Sequence, residues 1–134
     1  MKTIIVDDEI MAIKLVRNYL ERDKRVEIVG ECLDAGEALQ CVRERAVEAA
    51  FLDICIHGCM DGVELGKKLK ELNPQIVLIY TTGNAQYVDN AIDVEADFYL
   101  MKPLNAAELT FVVKKANELA LQRNKRIFAR TFGH

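Results

Sequence analysis

The chain has 134 residues, 51% of them apolar and 29% charged, with a formal net charge of −3. That length suits one domain able to bury roughly two-thirds of its unfolded surface, and the composition is that of an ordinary soluble protein, not a disordered one. No apolar run reaches the ~18 residues of a bilayer span, no basic-then-apolar leader is present, and the acidic balance argues against general nucleic-acid affinity of this segment.

Two periodicities alternate along the chain. "TIIVD" is a short β-branched run, as expected for a strand covered on both faces. After Asp7, Asp8 and Glu9, the residues Ile10, Ile13, Val16, Tyr19 and Leu20 recur at helical spacing. "VEIVGEC" (Val26–Cys32) reads as a second strand, and Ala35 to Arg45 as a helix with Asp34 at its N-cap. "AAFLDI" (Ala49–Ile54) is a third strand and carries another acid, Asp53. A loop with Gly58 and Gly62 follows. Val63, Leu65, Leu69 and Leu72 then mark a helix stopped at Asn73-Pro74. "QIVLIYTT" is a fourth strand, Ala85 to Val94 a weaker helix, and "DFYLMK" a fifth strand ended by Pro103. Ala106 to Arg123 closes the series as a helix with Asn105 at its N-cap.

Strand–helix repeats of this kind imply a five-stranded parallel sheet with right-handed crossovers and helices on both faces. In such a sheet, sites form beyond the carboxyl ends of the strands, where the strand order reverses. Asp7 and Asp8, Asp53, Thr81 and Thr82, and Lys102 all fall at such ends. Acids crowded on one rim repel and call for a cation. Mg2+, a hard ion that prefers oxygen ligands, fits. A plainer reading is that Asp8 and Glu9 only favour the dipole of the first helix, but this leaves Asp53 and Lys102 unexplained. A carboxylate beside Mg2+ can accept a phosphoryl group as an aspartyl-phosphate, with a lysine as a second positive point and a threonine hydroxyl as a hydrogen-bond donor. Neither GxGxxG nor GxxxxGK[ST] occurs, so nothing points to a nucleotide donor. Cys32, Cys41, Cys55 and Cys59 contain no CxxC and are expected to be free thiols.

"IIVDDE", "FLDI", "MDGVEL", "IYTTG" and "YLMKP", in this order, resemble the receiver domain of bacterial two-component response regulators, over about Met1 to Gln122. The resemblance implies a flavodoxin-like (βα)5 fold with strand order 2-1-3-4-5. It makes Asp53 the phosphoacceptor, Asp8 a direct Mg2+ ligand, Asp7 a ligand through water, and the backbone carbonyl of Cys55 a further ligand. Thr82 matches the switch threonine, Lys102 the phosphate-pairing lysine, and Tyr99 the switch aromatic, with a cis Lys102-Pro103 bond. The implied partner is a sensor histidine kinase, and the implied activity is limited to self-phosphorylation and autodephosphorylation. "DICIHGCMDG" departs from the family's D-I-x-M-P-G-M-D-G, being one residue longer between Asp53 and Asp61, with His57 in place of the usual proline.

The segment "GNAQYVDNAIDVEADFYLMKPL" resembles LytTR-type regulators, whereas Ile127–His134, "IFARTFGH", looks like the opening strand of a winged-helix output domain. Residues 1–122 are therefore read as the receiver and residues 123–134 as a linker or the start of a truncated output domain. DNA contact is expected only through that further domain, which would control transcription. A homodimer through the face of the fourth and fifth strands and a cytoplasmic location without membrane attachment complete the expectation. The alternatives are a stand-alone receiver, a Mg2+-dependent aspartyl-phosphate phosphotransferase and a flavin-binding protein. The phosphotransferase would need paired aspartates on one strand-end loop and a substrate cap. The flavin protein would need a hydroxyl-rich phosphate loop where "VDDE" stands.

Overall fold

The computed structural model describes residues 1–56, 61–83 and 96–132, with side chains through Asn124. The expected helix over Ala85–Val94, together with His57, Gly58 and Cys59, lies outside the described residues. Five strands form one parallel sheet: β1 (Lys2–Val6), β2 (Glu27–Cys32), β3 (Ala49–Asp53), β4 (Val77–Thr82) and β5 (Phe98–Met101). Their order is β2-β1-β3-β4-β5. Four helices accompany them among the described residues: α1 (Ile10–Leu20), α2 (Ala35–Glu44), α3 (Gly62–Leu72) and α4 (Ala106–Phe132).

The continuous apolar runs are sorted by the two-residue period of a strand. Ile4 and Val6 of β1, Ala50 and Leu52 of β3, and Leu78 and Tyr80 of β4 face one way, against Ala38 of α2 and Leu65 and Leu69 of α3. Ile5, Ala49, Phe51, Val77 and Ile79 face the other way, against Ile13, Val16 and Leu20 of α1 and Leu109, Val112, Val113 and Ala116 of α4. Each face thus has its own core, and the strands need no polar side. The chain leaves β1 for β2 on one flank and reaches β3 on the other. The strand order therefore reverses beside the carboxyl end of β1.

Side-chain caps set where several helices start. Asp34 Oδ1 accepts the Glu37 N–H at 2.8 Å, Asp61 Oδ1 the Glu64 N–H at 2.7 Å, and Asn105 Oδ1 the Glu108 N–H at 2.8 Å. Each satisfies an N–H that the first helical turn leaves without a partner. Helix α3 ends at Asn73, whose side-chain amide donates to Val47 O at 2.9 Å.

The last helix differs from the sequence expectation. It continues from Ala106 to Phe132 without a break, so Ile127–Phe132 is helical and the strand expected from Ile127 does not form. No glycine or proline interrupts residues 106–132, and Ala, Leu, Glu, Lys and Arg, which favour helix, predominate. Arg123, read as the last residue of this helix and the first of the linker, is tied into the body of the domain, at the rim opposite the carboxyl ends. Its Nη2 donates to Asp97 Oδ1 at 2.6 Å and its Nη1 to Ile76 O at 2.9 Å. Asp97 Oδ2 also accepts the Leu78 N–H at 2.9 Å, and Lys70 Nζ stands 3.5 Å from it. Lys70 Nζ donates to Ile76 O at 2.7 Å. This cluster joins α3, β4, the entry to β5 and α4.

Replacing Arg123 by alanine leaves the Asp97 carboxylate in place without its forked partner. The variant is expected to lose about 3 kcal/mol in urea unfolding. Arg123→Lys should recover only part of this, because an ammonium cannot satisfy both Asp97 oxygens and Ile76 O in one plane.

Candidate functional site

Four ionisable side chains from three strand ends meet at the switch in strand order. Asp7 directly follows β1, and its N–H extends the strand pairing by donating to Cys32 O at 3.0 Å. Its Oδ1 accepts the Glu9 N–H at 2.9 Å, which orients the carboxylate. Asp53 is the last residue of β3, and its Oδ1 accepts the Cys55 N–H at 3.1 Å. Lys102 follows β5, and its N–H donates to Thr82 O at 2.8 Å. The Lys102 Nζ then reaches across the rim, 3.0 Å from Asp7 Oδ2 and 3.5 Å from Asp53 Oδ2. The Lys102-Pro103 peptide bond is cis.

Asp7, Asp8 and Asp53 each offer a carboxylate oxygen within 4.8 Å of the others. Asp7 is 4% exposed and Asp53 8%, so water does little to screen them. One ammonium against three carboxylates leaves this foursome with a surplus of two negative charges. The donors are all hard oxygens, and those around one Mg2+ lie about 3–4 Å apart at its usual bond lengths. The set therefore fits a divalent cation, with small side-chain adjustments. Glu9 occupies the N-cap of α1 without a side-chain capping bond. A charge set against the dipole of α1 does not account for Asp53 at the end of β3.

The electrostatics follow from burial and neighbours. Burial pushes the Asp53 carboxyl above its ordinary pKa, and the Asp7 charge pushes the same way, while the Cys55 N–H and the Lys102 ammonium pull it back. For Lys102, burial pulls the pKa down. The hydrogen bond to Asp7 and the charges of Asp53 and Asp7 outweigh this, so its pKa is raised and it stays charged.

Of the remaining expected residues, Thr82 ends β4 on the same rim and is buried. Cys55 enters the site through its backbone N–H. Tyr99 lies within β5 and is half-buried, and its ring stacks on Tyr80 with centroids 6.3 Å apart and 18° between planes. Two residues in this region had no site role in the sequence reading, which took Gly62 only as a loop glycine. Tyr80 is fully buried and donates its hydroxyl to Gly62 O at 2.9 Å. Gly62 starts α3 against the end of β3, where a Cβ would lie 2.1 Å from Asp53 O and 2.6 Å from Ile54 O. Its N–H donates to Ile54 O at 2.9 Å. The Asp-Gly pair in "MDGVEL" was the available signal, since Asp61 caps α3 and only glycine fits behind it.

Fold and site together define a flavodoxin-like α/β protein with an acidic pocket at its topological switch point. The chain belongs to the response regulator receiver domain family, whose model matches residues 3–114. It is 31% identical over 115 residues to the sensory transduction protein LytT of Bacillus cereus, covering 86% of this chain and 46% of that protein. It is 30% identical over 115 residues to the transcriptional regulatory protein YpdB of Escherichia coli, covering 86% of this chain and 47% of that one. The chain thus spans about half the length of these relatives. Among solved structures, the REC domain of AraT, a response regulator from Geobacillus stearothermophilus, superposes with a TM-score of 0.82 at 33% identity, covering 92% of this chain and 97% of that one. The response regulatory domain of MrkE from Klebsiella pneumoniae gives 0.82 at 28% identity, covering 91% and 99%. As a family, receivers work in two-component signal transduction, with histidine kinases as their general kind of partner. Among the described residues, no helix is long and apolar enough to cross a membrane.

Two outcomes follow from the geometry. Gly62→Ala must displace either α3 or the end of β3, and is expected to cost about 3 kcal/mol in urea unfolding. A raised Asp53 pKa means that the folded state holds this proton more tightly than the unfolded chain. That contribution is present below the ordinary carboxylate pKa and is lost as pH rises through the raised value. In EDTA at pH 7, Asp53→Asn should therefore unfold at a higher urea concentration than the wild type. The gap should close as pH falls below the ordinary carboxylate value. A more stable wild type at pH 7 would contradict the sign of the shift.

Proposed function

We propose that this receiver accepts a phosphoryl group on Asp53, with Mg2+ as cofactor and a sensor histidine kinase as donor, and that the acyl phosphate switches a surface controlling an output domain. The observation that carries this reading is the Lys102 ammonium lying within reach of both Asp7 and Asp53, with Asp8 in the same pocket. Such a grouping needs a further positive partner, and it can hold an added dianion only by matching it with cations.

In the proposed reaction, an Asp53 carboxylate oxygen attacks phosphorus and the P–N bond of the donor phosphohistidine breaks. The Cys55 N–H bond holds Oδ1, which orients the carboxylate for attack. Lys102 keeps Asp53 ionised against the desolvation that raises its pKa, and it then pairs with a phosphoryl oxygen. Asp7, Asp8, Asp53 and the Cys55 carbonyl would hold Mg2+, whose charge offsets the negative charge that develops on the phosphoryl oxygens. The Thr82 hydroxyl donates to the phosphoryl group, and Tyr99 follows by changing its packing. The domain performs its own phosphorylation and dephosphorylation and is not a metabolic enzyme.

The wider reading assigns residues 1–122 to the receiver, with α4 carrying the change toward an output domain that binds DNA and regulates transcription in the cytoplasm. The name of the relative YpdB and the half-length coverage support this reading. A homodimer through the β4–β5 face would pair two such outputs.

Acetyl phosphate with Mg2+ is expected to add the mass of one phosphoryl group, which hydroxylamine removes. The gain should vanish in Asp53→Asn and in EDTA, and Lys102→Ala should slow it on the order of 100-fold. Absence of the adduct in the wild type, or phosphate on another residue, would refute the assignment. Turnover of many phosphomonoesters would favour the phosphotransferase alternative.

A further inference from the structure

Outside the acidic pocket, two thiols meet between the edge strand β2 and α2. Cys32 ends β2 and is buried, while Cys41 lies within α2 and is half-buried, and both are free. Cys41 packs against the core cluster that contains Cys32. Gly30 makes this approach feasible. It stands two residues before Cys32 on β2, so both positions face α2. A Cβ on Gly30 would lie 2.6 Å from Cys41 Sγ and 3.9 Å from Cys32 Sγ. The two sulfurs therefore converge on the one point of this strand face that lacks a side chain. A cleft of about 780 Å³, lined in part by Gly30, Cys32, Glu37, Gln40 and Cys41, opens onto them.

We propose that Cys32 and Cys41 are a dithiol modification site, closed to an intramolecular disulfide by a small disulfide-bearing oxidant such as glutathione disulfide. The half-buried Cys41 reacts first. Its thiolate attacks one oxidant sulfur, the oxidant S–S bond breaks, and the departing thiolate takes up a proton. Cys32 then loses its proton and attacks the Cys41 sulfur, releasing a second glutathione thiol. Two protein thiols lose two protons and two electrons, and the oxidant is reduced to two thiols. The bond would reach the acidic pocket through the backbone, because Cys32 O accepts the Asp7 N–H.

The test treats the whole chain with glutathione disulfide at pH 8, followed by an acid quench and digestion without reduction. An intact mass lower by two hydrogens and a peptide pair joining Cys32 to Cys41 are expected, both reversed by dithiothreitol. Cys32→Ala should stop at a glutathione adduct on Cys41, and Cys41→Ser should leave Cys32 unmodified while the protein is folded. The Asp7 amide resonance should shift on oxidation of the wild type and stay in place for Cys41→Ser. A wild-type protein that accumulates the Cys41 adduct without an internal bond would overturn the proposal. So would an internal bond to Cys55 or Cys59. The wild-type peptide map decides the matter even if a variant fails to fold.

Discussion

The ammonium of Lys102, shared between Asp7 and Asp53, is the interaction on which this rim of the protein depends. It ties the end of β5 to the ends of β1 and β3, whose acids lie 95 and 49 residues away in the chain. It also does so at low exposure, where attraction between opposite charges is strong and desolvation costs are high. Among these four side chains the balance is left incomplete. Three acids face one base, and burial still raises the Asp53 carboxyl despite the lysine. A site in this condition gains from additional positive charge, which is the physical basis for its fit to a divalent cation.

The opposite rim has a different character. Asp97 is paired with Arg123, approached by Lys70 and bonded to the Leu78 N–H, so its carboxylate has several donors and no charge deficit. This end fastens α4 to the sheet. The carboxyl rim is built instead around close approaches that a small rearrangement would alter. Gly62 leaves no room for a side chain behind Asp53, the Tyr80 hydroxyl holds Gly62 O, and Tyr80 stacks on Tyr99. A continuous path of contacts thus runs from the candidate phosphoacceptor to the β5 aromatic.

Much of this was legible in the sequence for local reasons. β-branched runs covered on both faces, helical spacing and the caps at Asp34 and Asn105 each depend on residues close together in the chain. The acids and the lysine were legible because strand ends in a parallel sheet share one rim. The clamp at Arg123 was not legible because its partner Asp97 lies 26 residues away, and a basic residue near a helix end looks the same whether solvated or clamped. The strand expected from Ile127 failed because a resemblance at the chain's end was weighed above an uninterrupted helical composition. The packing roles of Gly62 and Tyr80 were not legible because crowding between the end of β3 and the start of α3 is set by packing, not by spacing.

By itself, the sequence determined the alternation of strands and helices, the two-sided burial of the sheet and the presence of acids, threonine and lysine at strand ends. These properties follow from side-chain type and period. Only the tertiary structure decided that one ammonium reaches two carboxylates, that a glycine must stand behind Asp53, and that Cys32 and Cys41 converge over Gly30. Those facts are distances between remote segments, and distances of that kind arise only when the sheet has assembled and its two cores have closed.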